Sequence, residues 1–250
     1  MIKFRVCPKC GYTDPPEWKH SKYSYWIDNI LLEDFYNLSP QLAKEPSLRM
    51  LDCFCGIGGV SDGFALEGFD VTGIDIVDAP KMLGYKHRFI QADMLTLNGK
   101  DFRGYDVIWG SPPCRDFSQM SFVGKGSIRN DGKKWAWKNP PNPQNGLVLI
   151  NHFLKFVKDA EPKFWIMENS HLLTRYLSEK PRQISNIQRT MKRAFWGNYP
   201  DFLMPCTNNK TLKWLIGGSM RSWLRAKIPL ACSRAFAKAC KEALQKEVES

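Results

Sequence analysis

A doubly wound α/β sheet is the fold this sequence predicts, on three observations. Short apolar runs recur between residues 48 and 168. Stretches of helical spacing lie between some of them, and strands alternating with helices imply a parallel sheet covered on both faces. The runs end in Gly, Asp or Glu, residues that suit turns and ligands rather than a core.

The elements follow in order. Leu48–Cys53 is apolar, short and stopped by a glycine cluster, which predicts a buried strand. Val60–Glu67 has helical spacing and Gly68 would end it. Phe69–Asp75, Phe89–Asp93, Tyr105–Trp109 and Lys163–Glu168 read as four further strands. Leu147–Lys158 is helical, and residues 115–145 between are polar and rich in Gly, Lys, Asn and Pro, a long loop of the kind that carries function. Ile184–Arg193 reads as helical, and Pro229–Leu244 as a helix with Pro near its first turn. Trp109, Phe164 and Trp165 read as core. The organisation expected is an N-terminal extension (1–45), a catalytic domain (46–180), a small lobe (181–227) and a C-terminal helix returning to the catalytic domain (228–250).

With 250 residues, 43% of them hydrophobic, the chain can bury one sizeable core. Its net charge of +11 fits a polyanionic partner, since a cation near a phosphate releases counterions. No apolar run approaches the roughly 20 residues that span a bilayer, and the N-terminus shows no signal-peptide core. A cytoplasmic protein is therefore expected, its eight cysteines reduced or metal-bound.

Asp52-Cys-Phe54-Cys-Gly56-Ile-Gly58-Gly59 lies where the first strand turns into the first helix, and its glycines let backbone approach a ligand. The spacing is not the G-x-G-x-x-G of a dinucleotide site. Asp75 ends the second strand, where a carboxylate can bind the two hydroxyls of a ribose. Asp93 ends the third, within reach of an adenine amino group. Ile76, Met94 and Pro112 adjoin these positions and complete the candidate cofactor set.

Gly110-Ser-Pro112-Pro-Cys114-x-x-Phe117-Ser follows the fourth strand, and Met167-Glu168-Asn169-Ser ends the fifth. With the glycine cluster, these motifs resemble those of the DNA cytosine-5 methyltransferases, in the same order and each at a strand end. The resemblance implies the Rossmann-like fold of AdoMet-dependent methyltransferases, S-adenosylmethionine (AdoMet) as cofactor and double-stranded DNA as partner. It implies that Cys114 adds to carbon 6 of a flipped-out cytosine, activating carbon 5 toward the methyl group. Glu168 would contact ring nitrogen 3 and the amino group. Arg115, Lys125, Arg129, Lys133, Lys134 and Lys138 would let the 115–145 loop close over the gap in the duplex.

Five departures stand out. Ser170 replaces the usual Val after Glu-Asn. Asn142-x-Gln144 stands where the family has Asp-x-Arg, so the anchor of the catalytic loop is unassigned. Gln188-Arg-Thr-Met-Lys-Arg193 is a loose match to Gln-x-Arg-x-Arg, which favours Arg193 over Arg189 as the arginine at the cytosine. The family's final Asn, which helps hold AdoMet, is absent near Ile228–Ser233. Residues 196–227, with Trp196, Tyr199, Trp214 and Trp223 among Lys and Arg, are short for a recognition domain that reads several bases. A short site, weak specificity, the N-terminal extension or an accessory protein would compensate.

Cys7-x-x-Cys10 is half a zinc knuckle, and four ligands are needed. His20, Cys206, Cys232 and Cys240 are the available partners; a turn with two thiols is the other reading. Three functional readings compete with the first: the same chemistry on transfer RNA, a non-catalytic DNA-binding or regulatory protein on this fold, and the same scaffold with a modified cofactor that transfers a group bulkier than methyl. A monomer in a bacterial or phage-infected cell, serving restriction-modification or viral DNA modification, is the expected setting.

Overall fold

The computed structural model describes residues 5–6, 13–14, 48–117, 140–188, 191–205 and 221–249. Strands β1 (Arg5–Val6) and β2 (Thr13–Asp14) pair antiparallel as a two-stranded ladder. The main sheet holds seven strands: β3 (Arg49–Cys53), β4 (Asp70–Asp75), β5 (Arg88–Gln91), β6 (Val107–Gly110), β7 (Phe164–Ser170), β8 (Gln183–Gln188) and β9 (Met191–Asn198). Their spatial order is β5-β4-β3-β6-β7-β9-β8. The first five run parallel, while β9 lies antiparallel to both β7 and β8. Chain order therefore reverses between β3 and β6, and the carboxyl ends of these two strands frame the crevice where open α/β sheets take ligands.

Among the described residues five α-helices accompany the sheet: α1 (Gly59–Leu66), α2 (Ala79–Leu83), α3 (Pro143–Ala160), α4 (Arg221–Ala226) and α5 (Leu230–Glu249). Adjacent strand residues face opposite sides, so β3 sends Met50 into one core and Leu51 into the other. The Met50 core joins Trp109 and Phe195 to Phe64 of α1 and Phe236 of α5. Phe236 meets Trp109 edge-on with centroids 4.8 Å apart, a favoured aromatic geometry. The Leu51 core joins Ile108 and Met167 to Phe153 and Phe156 of α3. Gly63 lets α1 and α5 touch, because a Cβ there would sit 2.2 Å from Ser233 Oγ. Arg234 donates to Glu67 (2.8 Å) and Lys241 to the Glu67 carbonyl (2.9 Å), tying α5 to the end of α1. Among the described residues no helix is long and apolar enough to cross a membrane.

The doubly wound α/β expectation holds, with three corrections. Ile184–Gln188 and Met191–Arg193, expected to be helical, belong instead to β8 and the start of β9, so residues 183–188 and 191–198 extend the main sheet. β5 ends at Gln91, and Asp93 instead caps a short 3-10 turn by accepting from Leu95 N. The long loop ends early: Asn142 caps α3, which begins at Pro143.

Candidate active site

The glycine segment between β3 and α1 turns so sharply that Phe54, Gly56 and Gly58 all have positive φ (63°, 51° and 78°). Only glycine tolerates this readily, so Gly56 and Gly58 set the path of the loop. Asp75, at the end of β4, holds the loop from below. Its Oδ2 accepts from Gly56 N (3.0 Å) and its Oδ1 from Val77 N (3.2 Å). Each carboxylate oxygen can accept a second hydrogen bond, which leaves capacity for a diol. Ile76 beside it is 63% exposed, an apolar surface at the mouth of the cleft. Half-buried Asp93 stands two residues beyond the neighbouring β5, capping the 3-10 turn. A strained glycine cradle, a strand-end carboxylate and an exposed aliphatic face fit a nucleoside cofactor such as AdoMet. Met94 and Pro112 are buried, and Met94 packs its side chain into the α3-side core.

Beneath the cradle lies a buried polar chain that sequence reading did not find. Asp52 is 1% exposed, and its Oδ2 accepts from both Ser61 N (3.1 Å) and Ser61 Oγ (2.5 Å). Ser61 Oγ in turn bonds Tyr85 OH (2.9 Å). Burial pushes the Asp52 carboxyl up to about 7, against the lowering effect of the Ser61 bonds. Burial also raises the Cys53 and Cys55 thiols and the Tyr85 hydroxyl. At the first turn of α1, Asp62 takes Lys227 Nζ (3.0 Å) and His87 Nε2 (3.1 Å) on its two oxygens. Burial opposes its charge, but Lys227 and His87 outweigh that and hold its carboxyl below the usual range.

Cys114 sits just past β6, half-buried, on a loop locked into the sheet. Ser111 N donates to Cys53 O (3.2 Å), so the loop starts beside the glycine cradle. Asn169 Nδ2 donates to the Pro112 carbonyl (2.9 Å), which explains why an Asn follows Glu168: it fixes the loop that carries Cys114. The far end of the loop is held by Asp116, whose Oδ1 accepts from Asn142 N (2.9 Å), and this supplies the anchor the sequence left unassigned. Gly146 allows α3 to press on that turn, since a Cβ there would meet Phe117 Cζ at 2.7 Å.

Glu168 and Arg193 meet across β7 and β9. Glu168 is 3% exposed and Arg193 7%, and Arg193 Nη1 donates to Glu168 Oε1 at 2.7 Å. Burial opposes the charge on Arg193, but Glu168 and then Cys114 outweigh it and hold the guanidinium more firmly protonated. Arg193 is thus paired with Glu168 and feels the charge of Cys114, the other two predicted catalytic residues. The signal for Arg193 was weak in sequence, because only the antiparallel return of β9, pairing Arg193 with Ser170, brings it there.

Other expectations divide. Trp196 and Tyr199, assigned to the DNA-contacting segment, are 1% and 3% exposed and belong to the cores instead. Trp223 stands over the glycine loop, within 3.3 Å of where a Gly56 Cβ would be. Cys232 and Cys240 are buried in the α5 core. Among the described residues no group of three His, Cys, Asp or Glu is arranged to hold a metal. Cys7, Cys10, His20, Cys206, Arg189, Trp214 and the loop cations Lys125, Arg129, Lys133, Lys134 and Lys138 lie outside the described residues.

A family model described as C-5 cytosine-specific DNA methylase matches residues 48–203. The Type II methyltransferase M1.HphI of Haemophilus parahaemolyticus is 31% identical over 173 residues, covering 65% of this chain and 42% of the relative. The Type II methylase M.HgiDII of Herpetosiphon aurantiacus is 28% identical over 130 residues, covering 48% of this chain and 32% of the relative. A Frog virus 3 protein named "Probable DNA (cytosine-5)-methyltransferase" is 28% identical over 144 residues, covering 55% of this chain and 61% of the relative. The chain thus spans a third to three fifths of the length of these relatives.

Proposed function

The chain belongs to the C-5 cytosine-specific DNA methylase family, and on that premise we propose that it transfers a methyl group from AdoMet to carbon 5 of cytosine in DNA. The observation that carries this reading is the convergence of Cys114, Glu168 and Arg193 at the ends of β6, β7 and β9, beside the glycine cradle.

AdoMet, when bound, supplies an electrophilic methyl group. Asp52, Phe54, Gly56, Gly58, Gly59, Asp75, Ile76, Asp93, Met94 and Pro112 form the set assigned to hold it, Asp75 and Asp93 through their carboxylates and the glycines through close backbone approach. Cys114 acts as the thiolate, the reactive form of cysteine, and adds to carbon 6 of the flipped-out base. That addition makes carbon 5 enamine-like and able to attack a methyl group. Arg193 is the cation beside this thiolate, and its second partner Glu168 faces ring nitrogen 3 and the amino group. Loss of the carbon-5 proton and expulsion of Cys114 then restore the aromatic ring. The net charge of +11 supports a nucleic-acid substrate.

The same reading takes the protein as an intracellular monomer, with an accessory protein or the N-terminal extension aiding sequence recognition. A zinc on Cys7 and Cys10 would register as one equivalent of metal per chain, lost in Cys7→Ser, and metal-free protein retires the knuckle. Nucleoside mass spectrometry tests the function. Unmethylated DNA and transfer RNA are each incubated with protein and AdoMet, then digested. New 5-methylcytosine in DNA is the expected result; its appearance only in RNA would move the substrate, and its absence from both would remove the activity.

A further inference from the structure

We infer that Trp223 is a wall of the AdoMet cleft, an aromatic contact to the cofactor rather than to DNA. The inference rests on the reading of the glycine cradle as the AdoMet site. Its ring lies directly on that cradle: a Cβ placed on Gly56 would meet Trp223 Cε3 and Cζ3 at 3.3 Å. The contact is therefore with the six-membered edge of the indole, at a residue whose own N–H is held by Asp75. Trp223 is half-buried, so part of the largest side chain available is presented at the mouth of the cleft instead of in either core.

The position is fixed rather than incidental. Lys227 N donates to Trp223 O (3.0 Å), closing the last turn of α4. Lys227 Nζ then clamps Asp62 (3.0 Å), and its stem lies so close to Gly59 that a Cβ there would be 2.6 Å from Lys227 Cγ. Ile228, 3% exposed, crowds the same glycine with its backbone, since a Cβ on Gly59 would be 2.9 Å from Ile228 N and O. α4 is thus pinned to the cradle at Gly56 through the indole and at Gly59 one turn later. AdoMet carries a cationic sulfonium and a flat purine, and an indole ring attracts either a cation or an aromatic surface.

The experiment measures AdoMet binding by calorimetry on the full chain, for wild type, Trp223→Phe and Trp223→Leu, with circular dichroism to check folding. Removing an aromatic wall is expected to weaken binding by between about three- and thirty-fold in the Leu variant, while Phe, which keeps a ring, stays within about three-fold of wild type. In parallel, wild-type protein labelled with 5-fluorotryptophan should show the Trp223 fluorine resonance, identified by its loss in Trp223→Phe, moving when AdoMet is added. An AdoMet affinity unchanged in the Leu variant, with that resonance unmoved, overturns the inference. Failure of the wild-type protein to bind AdoMet would instead overturn the reading of the cradle, so the two failures are distinguishable.

Discussion

Replacing Arg193 with Met should cost the fold far more than a typical substitution. Arg193 is 7% exposed and its partner Glu168 3%, so the pair is removed from water on both sides and joined at 2.7 Å. Removing one member of a buried pair leaves the other charge uncompensated, which costs ~3–5 kcal/mol. Replacing both with apolar residues removes the two charges together, and such exchanges are often near neutral. The expectation for Arg193→Met is therefore a loss of about 3–5 kcal/mol, a large part of the ~5–15 kcal/mol that stabilises a typical domain. Glu168→Leu should cost a similar amount, and the double variant should lose far less than the two singles together. Urea unfolding followed by far-ultraviolet circular dichroism measures all four proteins. A single-variant loss below about 1 kcal/mol, or losses that simply add in the double variant, would refute the reasoning, because a surface-like or uncoupled pair behaves that way.

Three further outcomes are expected. Cys114→Ser should abolish methyl transfer while leaving the AdoMet dissociation constant within about two-fold, as a change confined to the nucleophile requires; unchanged turnover would remove Cys114 from its role. Asp75→Ala should weaken AdoMet binding by ten-fold or more, on the order of one charge-assisted hydrogen bond, and calorimetry showing an unaltered constant would displace the ribose site. Asp52, raised to about 7 from an ordinary 3.8, keeps a proton when folded that the unfolded chain has released between those values. Its contribution is most favourable below about pH 4 and falls as pH rises to about 7, by up to ~4 kcal/mol. Asp62, lowered by its cationic neighbours, runs the opposite way. Asp52→Asn should therefore gain stability relative to wild type as pH rises from 5 to 8; a pH-independent difference between the two would contradict the burial argument.

The middle of the sheet was legible because β3 and β6 are buried on both faces and read as continuous apolar runs: Leu48–Cys53 and Tyr105–Trp109 became β3 and β6 within two residues at either end. The site residues at their ends were legible because glycine clusters and acids have no place in a core. β8 was not. Ile184 and Ile187 are three apart, which mimics a helical stripe, although an odd spacing on a strand sends the two side chains to opposite faces. Ile184 is accordingly 51% exposed and Ile187 1%, on opposite sides of a strand. Tertiary partners were hidden for a different reason. Asp62 meets Lys227 across 165 residues of chain, and Arg193 reaches Glu168 only through antiparallel pairing, which no local pattern announces. Trp196 looked like a nucleic-acid contact because basic residues surround it in sequence, but its place on β9 turns it into the α3-side core.

The covalent step is the centre of the account, and trapping it is the most direct measurement. A DNA substrate carrying 5-fluorocytosine has no proton to lose from carbon 5, so a protein that adds through Cys114 and transfers a methyl group cannot complete the cycle. Incubation with AdoMet, followed by protease digestion and mass spectrometry, should yield the peptide containing Cys114 joined to the modified nucleotide, and Cys114→Ser should yield none. A nucleotide attached to a different residue, or no attachment while ordinary DNA is methylated, would contradict the mechanism.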